Sequence, residues 1–151
     1  MLASNKKIIL ISTEQTLDLR SRVLRPGQSI ENCKYPEDNA PTTFHFAAIE
    51  NNKVICNGTF IQQSHTLFAT AERPFRLRGM ATDPIYQRQG LGRLVIEAAL
   101  LELKNRKADL LWFNARTSAE IFYQKLGFLT IEDIFEIPTV GPHKVMYKWL
   151  K

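Results

Sequence analysis

The stretch YQRQGLGRLVIEAALLEL, residues 86–103, decides how the rest of the chain is interpreted. In it, Gly90 and Gly92 follow a Gln-Arg-Gln run and precede an apolar, helix-favouring segment. We predict a helix over about residues 90–105, with both glycines in its first turn. Backbone N–H groups there lack intrahelical acceptors, and the helix dipole adds partial positive charge. The stretch therefore predicts either an anion site or only a tight entry into a helix.

The spacing of the glycines excludes two common phosphate-binding loops. The Walker sequence GxxxxGK[ST] is absent from the chain. The dinucleotide fingerprint GxGxxG needs a third glycine where this sequence has Val95. Gln87, Arg88 and Arg93 could add side-chain donors to a bound anion. On its own, the stretch therefore leaves the anion unidentified.

Length and composition are those of an ordinary globular domain. The chain has 151 residues, of which 44% are hydrophobic and 23% are charged. We therefore predict a single domain over residues 1–151. The net charge of +5 permits an anionic cofactor or partner. Because the basic residues are spread along the chain and form no basic arm, we expect no nucleic-acid partner.

The sequence predicts neither a metal centre nor a membrane segment. Cys33 and Cys56 form no CxxC pair, and the three histidines are scattered, so spacing cannot assemble a zinc site. The apolar run at residues 8–12 is too short for a signal-peptide core or a membrane span. We therefore expect a cytoplasmic protein with reduced thiols.

Strands and helices alternate along the chain in a pattern typical of an α/β fold. Asn51 and Asn52 are expected to close a hairpin, and Gly79 to mark a bulge or a close backbone approach inside a strand. Thr117 and Glu120 fit a capping box. The segment at residues 25–41 is rich in turn formers and is expected to be a mobile loop. Strands are predicted at residues 8–11, 43–49, 54–62, 75–82, 109–114, 128–137 and 144–150, and helices at residues 12–24, 90–105 and 117–126. We therefore predict a mixed, mostly antiparallel sheet of about seven strands flanked by helices.

Two motifs in the centre of the chain resemble those of the GNAT acetyltransferase superfamily. The segment LRGMATDPIYQRQGLGRLVIEAAL, residues 77–100, resembles the family's coenzyme-A-binding segment, in which a strand and a turn precede the pattern [QR]xxGx[GA] and a helix. The segment FNARTSAEIFYQKLGF, residues 113–128, resembles the second motif, a strand ending in Asn before a helix that carries Tyr. Residues 141–150 resemble the last strand of many small members. Two motifs in the right order and spacing are more specific than either alone.

The resemblance implies an N-acetyltransferase that transfers an acetyl group from acetyl-CoA to a primary amine by direct attack. By position, the backbone of Met80, Ala81 and Thr82 would bind the pantetheine arm, and an N–H near Met80 would polarise the thioester carbonyl. Asn114 would contact the same arm. The residues implied to hold the pyrophosphate are Gln87, Arg88, Gln89, Gly90, Leu91, Gly92 and Arg93.

Tyr123 matches the tyrosine that is proposed in the family to protonate the departing thiolate. The alternative is an aromatic residue of the core. A phenol with a pKa near ~10 can share its proton with a thiol near ~8.5. The acceptor ammonium, near ~10.4, must first lose a proton, so a base is needed. The base stays open among Glu72, His45, His143 and water.

The strand before the glycines departs from the clearer family examples. It carries Arg76, Arg78 and Met80 and has no glutamate where one often stands. The two arginines fit either selection of an acidic acceptor or solvent-facing strand positions. The missing carboxylate motivates an alternative function, a non-catalytic module that binds and senses acyl-CoA. The acceptor and the oligomeric state are not readable from the sequence, although the resemblance is consistent with a homodimer.

Overall fold

The computed structural model describes residues 5–150, which form one mixed sheet with helices on both faces. The strands are β1 (Lys6–Ile11), β2 (Phe44–Glu50), β3 (Lys53–Gln62), β4 (Pro74–Thr82), β5 (Leu110–Arg116), β6 (Leu129–Thr130), β7 (Phe135–Ile137) and β8 (Gly141–Trp149). Their order in the sheet is β1-β2-β3-β4-β5-β8-β6, and β7 also pairs with β8. Only β4 and β5 pair in parallel among the described strands. The predicted mixed, mostly antiparallel sheet is confirmed.

The first helix begins where the sequence predicted. In α1 (Thr13–Leu19), the Ser12 hydroxyl accepts the Gln15 N–H at 3.3 Å, and the Gln15 side-chain oxygen accepts the Ser12 N–H at 2.9 Å. This reciprocal pair is a capping box. The chain then widens into a π-helical turn over Arg20–Leu24. The predicted helix is therefore confirmed in extent, whereas its last five residues wind more loosely than an α-helix.

Two helices pack on the other face of the sheet, and one of them starts differently from the prediction. They are α2 (Leu91–Asn105) and α3 (Glu120–Gln124), the latter preceded by a 3-10 turn at Thr117–Ala119. The capping box predicted for Thr117 and Glu120 is wrong, because neither start has a side-chain cap. The Glu120 carboxylate instead accepts a hydrogen bond from the Lys144 ammonium group at 3.1 Å.

The strand predicted at residues 128–137 is wrong as a single element. It forms the two short strands β6 and β7, which pair with β8 on either side of a detour at residues 131–134. The detour exposes Glu132 and Asp133, which disfavour a sheet interior, and Glu132 pairs with Lys144 at 3.0 Å. The predicted hairpin between β2 and β3 is confirmed, with Asn51 and Asn52 at φ of 50° and 66°.

The main core lies between the sheet and the helices α2 and α3. It buries apolar residues of the central strands against Val95, Ile96 and Leu103 of α2. Because side chains alternate across a strand, the other face of β4, β5 and β8 carries Arg76, Arg78, Trp112 and His143. That face bears the second cavity described below.

A network of buried polar side chains lies between α1 and the sheet. Arg20 makes two hydrogen bonds to the Asp38 carboxylate, at 2.7 and 2.8 Å, and one to the Thr59 hydroxyl at 2.7 Å. His45 Nδ1 lies 2.8 Å from the same hydroxyl, and His45 Nε2 lies 3.2 Å from the Asp38 carbonyl. The Asp38 pair anchors the second half of the segment at residues 25–41. This anchor was not predicted from the sequence.

Candidate active site

The sheet is split between β4 and β5. The two strands pair only from Pro74 opposite Leu110 to Arg76 opposite Trp112, yet β4 continues to Thr82 and β5 to Arg116. The backbone N–H and C=O groups on the facing edges beyond Arg76 are therefore free of a partner in the other strand. Such an edge can pair with a ligand that carries amide groups, as it would with another strand.

A bulge in β4 lies beside this split. Asn57 of β3 pairs with Ala81 and Thr59 pairs with Arg78, so β4 has one residue more than β3 over this interval. Gly79, inside the bulge, has a φ of +66°, and a β-carbon there would lie 3.1 Å from the Tyr35 hydroxyl oxygen. The bulge and the close approach predicted for Gly79 are both confirmed.

A cavity of about 300 Å³ opens between the end of β4 and the start of α2. Gly90 caps the helix in the left-handed conformation, with a φ of +76°. A β-carbon on Gly92 would lie 3.3 Å from the Phe122 ring and 3.4 Å from the Met80 methyl group, so the absence of a side chain keeps this space open. The cavity is lined by Met80, Ala81, Thr82, Tyr86, Gln87, Arg88, Gly90, Leu91, Gly92 and Phe122.

Most, but not all, of the predicted cofactor residues line this cavity. Gln89, Arg93 and Asn114 do not, and Arg93 instead pairs with Glu97 at 2.9 Å on the exposed face of α2. Phe122 was not predicted as a lining residue. Its signal in the sequence is weak, because an aromatic residue next to Tyr123 on a short helix is equally expected in the core.

A second cavity of about 710 Å³ lies on the face of the sheet that carries Arg76 and His143. Met80 lines both cavities, so they are neighbours on either side of this residue, beside the split in the sheet. Asn114 and Tyr123 line only the second cavity. The structure therefore places the predicted strand end and the glycine turn on one cavity, and the predicted tyrosine on the neighbouring one.

Tyr123 is nearly enclosed by aromatic rings. Its side chain is 8% exposed, and its ring centroid lies 4.4 Å from that of Phe113 and 5.0 Å from that of Phe122. Burial, with a smaller contribution from the nearby Cys56 thiol, raises the pKa of Tyr123 well above its ordinary value. The phenol therefore keeps its proton at neutral pH, as a proton donor must.

The three side chains that were candidates for the base lie in different parts of the structure. His143 lines the second cavity, and its Nδ1 donates to the Gly141 carbonyl at 2.8 Å, which leaves Nε2 as an acceptor. His45 is held in the polar network, where burial lowers its pKa. Glu72 is exposed near the start of β4, at the end of the strand opposite to Met80. Only His143 of these three shares a cavity with Tyr123.

The described residues offer no metal site. Within residues 5–150, no group of three or more His, Cys, Asp or Glu side chains is placed to hold a metal ion. Over the same range, no helix has the length and apolar character needed to cross a membrane.

A sheet split between two parallel central strands, with a glycine-led helix beside the split, defines the acetyltransferase class that the motifs resemble. The family model described as acetyltransferase (GNAT) domain matches residues 41–129 of this chain. An uncharacterized N-acetyltransferase of Bacillus subtilis (strain 168), YitI, is 41% identical over 141 residues, covering 93% of this chain and 94% of the relative. The chain therefore belongs to the GNAT acetyltransferase family.

Two further comparisons concern a shorter segment and the fold. A [ribosomal protein bS18]-alanine N-acetyltransferase of Escherichia coli (strain K12) is 46% identical over 55 residues, which are 34% of this chain and 37% of that protein. The crystal structure of a putative N-acetyltransferase from Lactobacillus plantarum superposes with a TM-score of 0.78 at 17% identity, covering 98% of this chain and all of that one. The second comparison supports the fold alone.

Proposed function

We propose that the protein is an N-acetyltransferase that uses acetyl-CoA as donor and a primary amine as acceptor. The observation that carries the proposal is that two neighbouring cavities share Met80, beside the split between β4 and β5, with Tyr123 on the wall of the second. A donor bound on one side can thereby meet an acceptor bound on the other. A module that only senses acyl-CoA would not need the second cavity.

The first cavity and the split fit the shape of coenzyme A. The unpaired edge of β4 beyond Arg76 can bind the two amides of the pantetheine arm as a strand would bind its neighbour. The N–H groups at Gly90 and Gly92, at the start of α2, would hold the pyrophosphate together with Gln87 and Arg88. Gln89 and Arg93 are proposed only for the outer rim of this site.

The chemistry requires one new bond, one broken bond and two proton transfers. The amine nitrogen attacks the thioester carbon, whose oxygen would accept a hydrogen bond from the backbone near Met80. As the C–N bond forms and the C–S bond breaks, the sulfur takes the proton of the Tyr123 hydroxyl. The nitrogen loses its proton to His143 Nε2 or to water. Burial raises the pKa of the coenzyme A thiol as well as that of Tyr123, so burial acts on donor and acceptor in the same direction.

The test of the proposal is amine-dependent release of thiol from acetyl-CoA. The purified protein is mixed with acetyl-CoA and a panel of primary amines, the free thiol is titrated, and the amide product is identified by its mass. We expect at least one amine to give thiol and amide in equal amounts. Tight binding of acetyl-CoA without release on any amine would favour the sensing module.

A further inference from the structure

The second cavity has an unusually one-sided charge. Its wall carries four arginines, and no Asp or Glu is among the described residues that line it. None of the four takes part in an ion pair within residues 5–150. The four are Arg25, Arg76, Arg78 and Arg116.

Among the four arginines, Arg76 is the one that buries a side-chain nitrogen without a hydrogen-bond partner within residues 5–150. Its Nε is buried without a hydrogen-bond partner in the described part of the chain, and its Nη1 reaches the Gln63 side-chain oxygen only at 3.4 Å. The guanidinium lies 4.9 Å from the centre of the Trp112 ring. Burial, and then the charge of Arg78, lowers the pKa of Arg76 to about 10. Glu37 is near enough to oppose this effect, although one of its own oxygens is also buried without a partner.

Arg78 presents a second guanidinium on the same face of β4. One residue, Leu77, separates it from Arg76, so the two attachment points lie about 7 Å apart along the strand. Its guanidinium lies 4.0 Å from the centre of the Tyr35 ring. Tyr35 is fixed in turn, because its N–H donates to the Asp38 carboxylate at 2.8 Å. Both arginines are therefore held by aromatic rings rather than neutralised by acids.

An unpaired, partly buried guanidinium costs free energy unless a ligand neutralises it. Solvent-facing strand positions, the other interpretation of Arg76 and Arg78, do not account for the buried Nε of Arg76. A cavity of about 710 Å³ is of the size that holds a small molecule. A carboxylate matches the planar guanidinium fork in shape and charge, as a phosphate also does.

We propose that the acceptor is a small amine that also carries a carboxylate, which Arg76 and Arg78 bind. This inference rests on the proposed function, since it names the acceptor of that reaction. The same field repels polyamines and favours the neutral, reactive form of the amine over its ammonium form. The arginines thereby take over part of the work of the missing carboxylate base.

The experiment compares amines in matched pairs. Amino acids and their carboxamides are supplied with acetyl-CoA at equal concentrations of neutral amine, and kcat/KM is measured for both members. We expect the acid to exceed the amide by at least about tenfold, the effect of one well-placed charged contact. Phosphoethanolamine forms a second arm, which would exceed the acids if phosphate were the preferred anion. Equal or higher rates for carboxamides or for putrescine would overturn the inference while leaving the proposed function intact.

Three variants locate the anion site. Arg76→Gln and Arg78→Gln should each lower kcat/KM for the acid at least about tenfold more than that for the carboxamide, and leave the affinity for acetyl-CoA unchanged. Arg73→Gln is the matched control, because its exposed side chain lies at the other end of β4 and lines neither cavity. Should Arg76→Gln fail to fold, Arg78→Gln alone decides.

Binding without turnover separates the two proposals. If no amine is acetylated, calorimetry of the same acids with the CoA-loaded protein still measures whether the acids bind at Arg76 and Arg78. Binding that Arg78→Gln weakens would support the anion site and contradict the acetyl transfer. Absence of binding by every acid and by phosphoethanolamine would overturn the inference itself.

Discussion

Tyr123 combines a buried side chain with a place on the wall of the second cavity. Aromatic contacts on several sides fix the orientation of its ring, so the ring cannot reorient without repacking Phe113. Burial also keeps the phenol protonated. The two interpretations of this residue are compatible. The ring packs as an aromatic residue of the core, and the role proposed in catalysis belongs to the hydroxyl oxygen.

Replacement of Tyr123 by phenylalanine should separate these two roles. We expect Tyr123→Phe to keep the fold and the affinity for acetyl-CoA, and to lower kcat by about 10²-fold or more, since one proton donor is removed. Tyr147→Phe is the control, because Tyr147 packs in the small apolar cluster around Trp112 and lines neither cavity. An unchanged kcat for Tyr123→Phe would assign the protonation of the thiolate to water.

At the scale of elements, the site is made by two strands that separate and a helix that starts beside them. The bulge at Gly79 lets β4 leave β5 while it stays paired with β3. Gly90 and Gly92 have different tasks, since the first supplies a left-handed cap and the second supplies space. The glycine pair therefore serves both the helix start and the cavity.

Gly92 offers a test that distinguishes binding from folding. Gly92→Val places methyl groups between the Phe122 ring and Met80, and should raise the Kd of acetyl-CoA at least about tenfold. The free energy of unfolding should fall little, because valine is somewhat more favourable than glycine in a helix and offsets part of the steric cost. Calorimetry measures the Kd, with Lys104→Val, exposed on the same helix, as control. An unchanged Kd would remove the pyrophosphate from this cavity.

The elements that the sequence predicted well are those with local signals. The hairpin follows from Asn51 and Asn52, which accept a positive φ, and the start of the first helix follows from a residue at its N-terminus, Ser12, that can cap it locally. The cap predicted at Thr117 failed because a tertiary partner, Lys144, takes the Glu120 carboxylate. Local patterns cannot anticipate such a competition.

The parts of the site that escaped prediction depend on long-range contacts. Nothing near Arg20 in the sequence indicates that its guanidinium would be buried against Asp38, 18 residues away. The burial of Arg76 without an ion-pair partner likewise depends on how β4, β5 and the segment at residues 25–41 come together in the fold. The sequence could therefore indicate the site proposed for the donor, but only the fold shows how one-sided the charge of the second cavity is.

At the scale of the whole molecule, one buried ion pair joins α1, the segment at residues 25–41 and the sheet. Arg20 and Asp38 have side chains that are 1% and 4% exposed, and Arg20 also donates to the Cys33 carbonyl at 3.0 Å. The same segment carries Tyr35 to the second cavity. We infer that this pair holds one wall of the second cavity in place.

Asp38→Asn should therefore destabilise the protein by about 3–5 kcal/mol at neutral pH, because it leaves the buried Arg20 charge without its partner. Urea unfolding measures the change. Asp18→Asn, which removes an exposed partner of Arg22, is the control and should cost less than about 1 kcal/mol. A cost for Asp38→Asn no larger than that of the control would contradict the account of this ion pair.

The same pair predicts a dependence of stability on pH. Burial opposes the ionisation of Asp38, but hydrogen bonds from Arg20 and Tyr35 outweigh it and hold the pKa of the carboxyl below its ordinary value. The stabilisation is therefore fully present above the unfolded pKa of about 3.9, and is lost as the pH falls through the lower folded pKa. The difference in unfolding free energy between the wild type and Asp38→Asn should shrink below about pH 4. A constant difference down to about pH 2 would contradict this assignment.

The central claim is that acetyl transfer takes place in the split between β4 and β5, and a crystal structure with bound acetyl-CoA tests it most directly. We expect the thioester oxygen within about 2.7–3.1 Å of a backbone N–H at Met80, the sulfur beside the Tyr123 hydroxyl, and the pyrophosphate at residues 87–92. Acetyl-CoA bound away from the split, or with its sulfur out of reach of Tyr123, would contradict the account.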